Sequence, residues 1–284
     1  MKLINKLKAR AKKYLNHIYK IPFLKKPFPR NPYCKKPLAL KKDFLKLHKE
    51  AIANTNKLID KYEIDSGYAI PKEYINKLAL YTQICIKKSE LNFQHGKLLY
   101  SSLSKYINDI KSNYPEENIP IIVLETGTAR GFSSICMSKA FSDNNANGTI
   151  ITIDCVPHNE RLLWNSINDL NGPKSREENL SDWEKELSRI VFIQGWTEVV
   201  NNIGLSRINF AFLDAQHTKD DVMFEFEYVS KRQKKGDIVI FDDVTTGLFN
   251  GVCDAILEIE KNYPYEITRI DSNKARGYAI AIKK

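Results

Sequence analysis

A chain of 284 residues, 43% of them hydrophobic, can build one large domain with an appendage or two domains, and no apolar run approaches the roughly eighteen residues of a membrane span. The formal net charge of +10 is concentrated in one place. Residues 1–50 carry 16 Lys/Arg against 2 Asp/Glu, so the remaining 234 are net −4, which excludes nucleic-acid binding by charge for the bulk of the protein.

Met1 to Lys20 puts Leu3, Ile4, Leu7, Ala11, Tyr14, Leu15 and Ile18 on one helical face, with seven Lys/Arg and no acid on the rest. Such a basic amphipathic helix can lie on an anionic membrane surface or dock on its own protein with a solvated basic face. Five prolines between Pro22 and Pro37 continue it as an extended arm, so residues 1–40 form one unit. Residues 1 to about 37 are expected to be dispensable for ligand binding at the sheet. Residues 41–117 read as helical, with apolar repeats Leu45/Ile52/Ile59 and Tyr74/Leu78/Tyr81 and breaks at Gly67 and Pro71.

From residue 118 to 284 strands alternate with helical patterns. Strands are expected at Ile121–Glu125, Thr149–Asp154, Ile190–Gln194, Ile208–Asp214 and Asp237–Asp242. An antiparallel pair, Glu266–Ile270 and Gly277–Lys283, closes the chain. This alternation predicts an α/β fold with a doubly wound, largely parallel sheet. Thr218-x-x-Asp221 reads as a capping box for one of the helices. Five scattered cysteines (Cys34, Cys85, Cys136, Cys155, Cys253), without C-x-x-C spacing, read as reduced thiols of a cytoplasmic protein. The N-terminus lacks the pattern of a secretory signal.

Ligands of such sheets sit beyond the C-terminal strand ends, and those ends carry chemistry here. The first strand runs into Glu125-Thr-Gly127-Thr-Ala-Arg-Gly131-Phe-Ser133, a glycine turn before a helix with Phe132, Ile135, Cys136 and Ala140 on one face. Gly127 and Gly131 would let backbone NH groups approach a ligand. The spacing is neither G-x-G-x-x-G nor a phosphate loop, so an NAD-dependent oxidoreductase and a nucleoside-triphosphate enzyme are disfavoured. The second strand ends in Asp154, an acid able to accept both hydroxyls of a ribose. The third ends in Gln194-Gly195-Trp196-Thr197, where Trp196 could stack on a flat ring or serve as an ordinary core aromatic. The fourth and fifth end in Asp214 and in Asp242-Asp243. Three acids converging with no Lys or Arg between them would repel one another unless a cation intervened, and all-oxygen ligation suits Mg²⁺. The alternative is that Asp242 and Asp243 only cap the next loop. His217, three residues past Asp214, could accept a proton near neutral pH.

Together these segments resemble the class I S-adenosylmethionine-dependent methyltransferases, and within them the metal-dependent O-methyltransferases of the catechol and macrocin/novobiocin sugar types. Val123-Leu-Glu125-Thr-Gly127-Thr-Ala-Arg-Gly131-Phe-Ser133 matches the V-L-E-x-G-x-x-x-G-x-S motif. Ile151–Asp154 matches the ribose strand and Gly195–Thr197 the adenine-side turn. Phe212-Leu-Asp214 with Asp242-Asp243 matches the metal-ligand spacing, and Gly236–Asp243 the last parallel strand. The resemblance implies a Rossmann-like, seven-stranded sheet. It implies S-adenosylmethionine held by Glu125, Gly127, Thr128, Gly131, Ser133, Asp154, Gly195, Trp196, Thr197 and Asp214. It also implies Mg²⁺ or another divalent cation on Asp214, Asp242 and Asp243, with His217 and Asp214 as catalytic residues. The catechol type carries lysine where His217 stands, which favours a sugar or glycoside acceptor over a phenolic one. Asp237 replaces a glycine of the motif. The expected function is O-methylation of a small hydroxylated metabolite, with a lid or dimer surface built from residues 41–117 and homo-oligomers as an option. The localisation expected is cytoplasmic, with peripheral membrane contact through the basic helix as a further option. A non-catalytic nucleoside-binding or membrane-docking module is the alternative of a different class.

Overall fold

The computed structural model describes residues 33–115, 118–271 and 276–284. The basic helix expected over Met1–Lys20 and most of the proline arm lie outside the described residues. Asn31–Lys284 forms one compact unit. Among the described residues no helix is long and apolar enough to cross a membrane.

Among the described residues, four helices precede the first strand: α1 (Lys41–Ala53), α2 (Lys57–Ser66), α3 (Lys72–Thr82) and α4 (His95–Asn113). In α1 the buried positions are Phe44 and Ala51, while Leu45 and Ile52 face out. The expected repeat was out of phase because it ran through a break. Asn54 ends α1, and the Asn56 side chain caps α2 by accepting from the Leu58 and Ile59 amides. That interruption rotates Ile59 back into the core.

The α/β part alternates β1 (Ile121–Thr126), α5 (Phe132–Asp143), β2 (Gly148–Asp154), β3 (Ile190–Gln194), β4 (Phe210–Leu213), α6 (Lys219–Ser230), β5 (Ile238–Phe241), α7 (Asn250–Asn262), β6 (Tyr265–Ile270) and β7 (Tyr278–Lys283). Single helical turns, and no longer helix, fill the crossover from β2 to β3. The seven strands are ordered β3-β2-β1-β4-β5-β7-β6. Pairings among β1 to β5 are parallel, and β7 runs antiparallel to both β5 and β6. The expected Rossmann-like sheet and its antiparallel C-terminal pair are therefore observed. Strands β4 and β5 are shorter than expected, because the ladder ends before Asp214 and Asp242.

Both faces of the sheet are covered, so its strands are apolar at consecutive positions. Val123, Phe210, Phe212, Ile238 and Ile240 share a core with α1 to α5. Their neighbours Leu124, Ala211, Leu213, Val239 and Phe241 share another with α6 and α7. The helices of residues 41–113 are thus continuous with one face of the sheet, since α4 buries Leu98, Leu99, Leu103 and Ile107 against it. Asp237, the departure from the motif glycine, is buried between Arg207 Nη2 (2.6 Å) and the Tyr106 hydroxyl (2.7 Å), a link from α4 to the start of β5.

Strand order reverses at β1, which has β2 on one side and β4 on the other. Crevices beyond the strand ends form at such a reversal. It brings the ends of β1, β2, β4 and β5 side by side.

Candidate active site

The turn after β1 is shaped by protein contacts. Gly127 has φ +91°, and a Cβ there would stand 2.2 Å from the Asp214 carbonyl oxygen. Gly131, with φ +87°, would put its Cβ 2.6 Å from Leu180. Both glycines were expected to make room for a ligand. In the structure they also let the turn press against the residue after β4 and the β2–β3 crossover, and Gly127 lines the cleft at the strand ends. Ala129 between them also takes positive φ, +45°, and its amide donates to Asp154 Oδ2 at 2.6 Å.

Asp154 is anchored twice, since Oδ1 also accepts from the Val156 amide at 2.7 Å. Arg176, buried in the crossover, holds the same neighbourhood from behind. Its Nε donates to the Ala129 carbonyl at 2.9 Å and its Nη2 to the Val156 carbonyl at 3.3 Å, while Nη2 stands 4.0 Å from Asp154. The guanidinium packs 5.5 Å from the ring centres of Trp164 and Phe192. Each remaining acceptor position of Asp154 is therefore held in a fixed direction. Nothing in the sequence marked Arg176 beyond the Ser175-x-x-Glu178 capping box around it.

The ends of β1, β2, β3 and β4 enclose a cleft of about 260 Å³. Gly127, Asp154, Gly195, Trp196, Thr197 and Asp214, all singled out from sequence, line it. Ala129, Val156 and Gln216 line it as well, and so does Tyr33, from the arm expected to stand apart from the site. Glu125, Thr128, Gly131 and Ser133 are not on this wall. Glu125 is fully buried and accepts from the Ser133 and Ser134 hydroxyls at the start of α5. Burial raises its pKa, and those hydroxyls, with Thr152, pull it back. The Thr128 hydroxyl lies 2.5 Å from that of Thr152, which ties the turn to β2.

Below the cleft lies Glu225 of α6, also unforeseen. It is buried, and its Oε2 accepts from the Thr126 hydroxyl at 2.7 Å while its Oε1 has no hydrogen-bond partner. The carboxyl is pushed up to about 8, first by burial, against hydrogen bonds from Thr126 and Thr197 that favour the anion.

Beside the cleft stands the acid rim. Ligand atoms of Asp214, His217 and Asp243 all lie within 4.8 Å of one another, and His217 Nε2 is 2.9 Å from Asp243 Oδ2. Asp242 is outside that group: its Oδ1 accepts from the Asp243 amide at 2.7 Å and its Oδ2 from Arg276 Nη1 at 3.1 Å. Arg276 Nε also stands 3.3 Å from Asp243 Oδ1. The sequence view that no basic residue lay among these acids is corrected by Arg276, which the β5–β7 pairing brings in from the loop before β7. Burial raises the pKa of Asp214 well above the usual range, and Asp242 adds to it. Burial pushes Asp242 to about 6 against the pull of Arg276. Asp243 itself has φ +59°, a left-handed conformation that costs a non-glycine residue energy.

The donor set suits a divalent cation. The carboxylates of Asp214 and Asp243 converge beside the His217 imidazole, and buried Asp243 Oδ1 accepts no hydrogen bond despite Arg276 close by.

A family of proteins described as methyltransferase domain matches residues 124–244, from within β1 to just past the acid rim. The O-methyltransferase TomG from Streptomyces achromogenes, solved with S-adenosylmethionine and involved in tomaymycin synthesis, superposes with a TM-score of 0.52 at 17% identity, over 81% of this chain and 96% of that one. An O-methyltransferase from Bacillus cereus, solved with S-adenosylhomocysteine, gives 0.49 at 14% identity over 84% and 96%. The O-methyltransferase NovP gives 0.48 at 16% identity over 65% and 79%. No curated protein matches the chain. Residues 124–244 match a methyltransferase-domain family, and the seven-stranded sheet built around them shares its fold with the O-methyltransferase TomG.

Proposed function

We propose that the protein transfers a methyl group from S-adenosylmethionine to a hydroxyl oxygen of a small metabolite such as a sugar or glycoside. The observation that carries this reading is a single cleft that unites the glycine turn, Asp154, the Gly195-Trp196-Thr197 turn and Asp214, with His217 and Asp243 beside it. Asp154, fixed by two amides, would accept the ribose hydroxyls. Gly195 and Trp196 would bound the adenine. Glu125, Thr128, Gly131 and Ser133 would act from behind the wall, by holding the turn and the start of α5 in place.

In the reaction a lone pair of the acceptor oxygen forms the O–CH₃ bond while the S–CH₃ bond breaks. The sulfonium becomes a neutral thioether, and the hydroxyl proton goes to His217. Asp243, 2.9 Å from Nε2, would orient the imidazole and stabilise its charged form. A divalent ion on Asp214 and Asp243, with Asp242 behind them, would lower the pKa of the acceptor hydroxyl and orient it. The basic N-terminal segment would add peripheral contact with anionic membrane.

Titration calorimetry tests the donor. S-adenosylhomocysteine should bind and NADH should not, and Asp154→Ala should weaken binding by about 1–3 kcal/mol, the usual cost of stranded hydrogen-bonding groups. Tight NADH binding without the sulfur nucleoside would sink the reading. For the acceptor side, His217→Ala should leave S-adenosylhomocysteine affinity intact while cutting turnover of a hydroxylated acceptor by roughly 10²–10⁴-fold.

A further inference from the structure

The proline arm was expected to be separable from the ligand site, yet Tyr33 lines the cleft together with Asp154, Val156 and Trp196. Its place is held by several independent contacts. The Tyr33 ring lies 5.4 Å from that of Trp164. The Arg130 guanidinium covers its face at 4.4 Å, while Arg130 Nε donates to the Trp164 carbonyl at 2.5 Å. The next residue, Cys34, directs its Sγ to Asp169 Oδ2 at 3.5 Å. Asp169 is itself fixed by accepting from the amides of Trp164 (2.8 Å) and Ser166 (3.2 Å). One aromatic ring thus joins three elements at the cleft: the arm, the glycine turn that carries Arg130, and the β2–β3 crossover that carries Trp164.

We propose that Tyr33 is a wall of the nucleoside half of the cofactor site, so that cofactor affinity depends on the segment that leads out of the N-terminal arm. The assignment rests on the methyltransferase reading above, in which Asp154 and Trp196 face the ribose and the adenine. Tyr33 shares the cleft with those two residues and is anchored on Arg130 and Trp164, next to the Asp154 end of the glycine turn. An aromatic side chain lining a cleft offers apolar surface to a ribose or a base. Burial pushes its hydroxyl up to about 12, so the ring stays neutral through the working pH range.

The test uses the full chain with S-adenosylhomocysteine and 5′-methylthioadenosine as probes, the second lacking the amino-acid tail. Tyr33→Ala should weaken both by the same factor, roughly 3- to 10-fold. Tyr33→Phe should bind both as the native protein does. Circular dichroism of the unliganded proteins checks that the fold is kept. If Tyr33→Ala does not fold, Tyr33→Leu fills the space against Trp164 without the flat face, and the same comparison applies. Undiminished binding by a folded Tyr33→Ala or Tyr33→Leu protein would overturn the assignment. So would a loss confined to S-adenosylhomocysteine, because Tyr33 would then face the amino-acid tail. If the native protein bound neither probe, the cofactor reading would fall and take this assignment with it. Native binding that is indifferent to Tyr33 would remove the assignment alone.

Discussion

Glu225 gives the sharpest check on how this site is supported, because its effect depends on pH in a direction the structure fixes. Its carboxyl is buried beneath the Thr126 and Thr197 hydroxyls, with Asp221 and Glu198 near enough to disfavour a further negative charge. Folding moves its pKa from the ordinary 4.5 to about 8. Over that interval the folded state holds a proton that the unfolded state has lost. Stability from this group is therefore complete below pH 4.5 and falls as the pH rises through 8. By linkage, the native protein has lost about 2 kcal/mol by pH 6 and about 5 by pH 9, so about 3 kcal/mol disappears between those two points. Glu225→Gln cannot ionise and should not share that loss. It places an amide where Oε1 has no partner, which costs about 1–3 kcal/mol at every pH and shifts the level without changing the slope. Urea unfolding at pH 6 and pH 9 reads both quantities. The variant should be close to the native protein at pH 6 and the more stable of the two at pH 9. Equal losses in the two proteins between pH 6 and pH 9 would refute the buried neutral acid.

Gly127→Ala should lose several kcal/mol, since a Cβ would stand 2.2 Å from the Asp214 carbonyl oxygen at φ +91°. Thermal unfolding measures the loss, and a variant within about 1 kcal/mol of native would mean the turn can relax away from β4. Arg276→Met leaves Asp242 and Asp243 without the guanidinium now 3.1 and 3.3 Å away, so it should lower the melting temperature in EDTA and enlarge the rise produced by added Mg²⁺ or Mn²⁺. An unchanged ion-induced rise would show that Arg276 and a cation do not serve the same charges.

Much of this arrangement could be read from the chain because it depends on local pattern. Each parallel strand is a short apolar run bounded by a turn, so its C-terminal residue can be found without knowing its neighbours. Gly127, Asp154, Trp196 and Asp214 are legible in this way, and the cleft joins them. What escaped depends on contacts between distant segments. Glu225 alternates with Phe224 and Phe226 in α6 and looks like a surface acid until Thr126 and Thr197 are placed over it. Arg276 meets the acids only because β7 returns antiparallel beside β5. Tyr33 sits among prolines, where side-chain direction has no period to follow. The positions of Gly127 and Gly131 are legible as well, but the atoms that exclude a side chain belong to Asp214 and Leu180.

The acid rim shows how far a charge argument extends. Three carboxylates close together need compensation, and the fold supplies part of it through Arg276. If neutralisation were the whole purpose, the acids would need only to surround the guanidinium. Asp242 does so, with one oxygen on Arg276 and the other on a backbone amide. Asp214, His217 and Asp243 also meet one another, although Asp243 stands by Arg276 as well. Their ligand atoms converge within 4.8 Å, although a planar guanidinium reaches its partners along diverging N–H directions and cannot gather acceptors around a point. Two carboxylates meet here in a buried setting, where burial first and Asp242 next raise the pKa of Asp214, and Asp243 holds a left-handed backbone conformation. The buried carboxyl and the left-handed backbone work against stability, and Arg276 offsets only the net charge. That strain is the observation behind the proposal that the rim takes a ligand, whereas a structural ion pair alone would not require it.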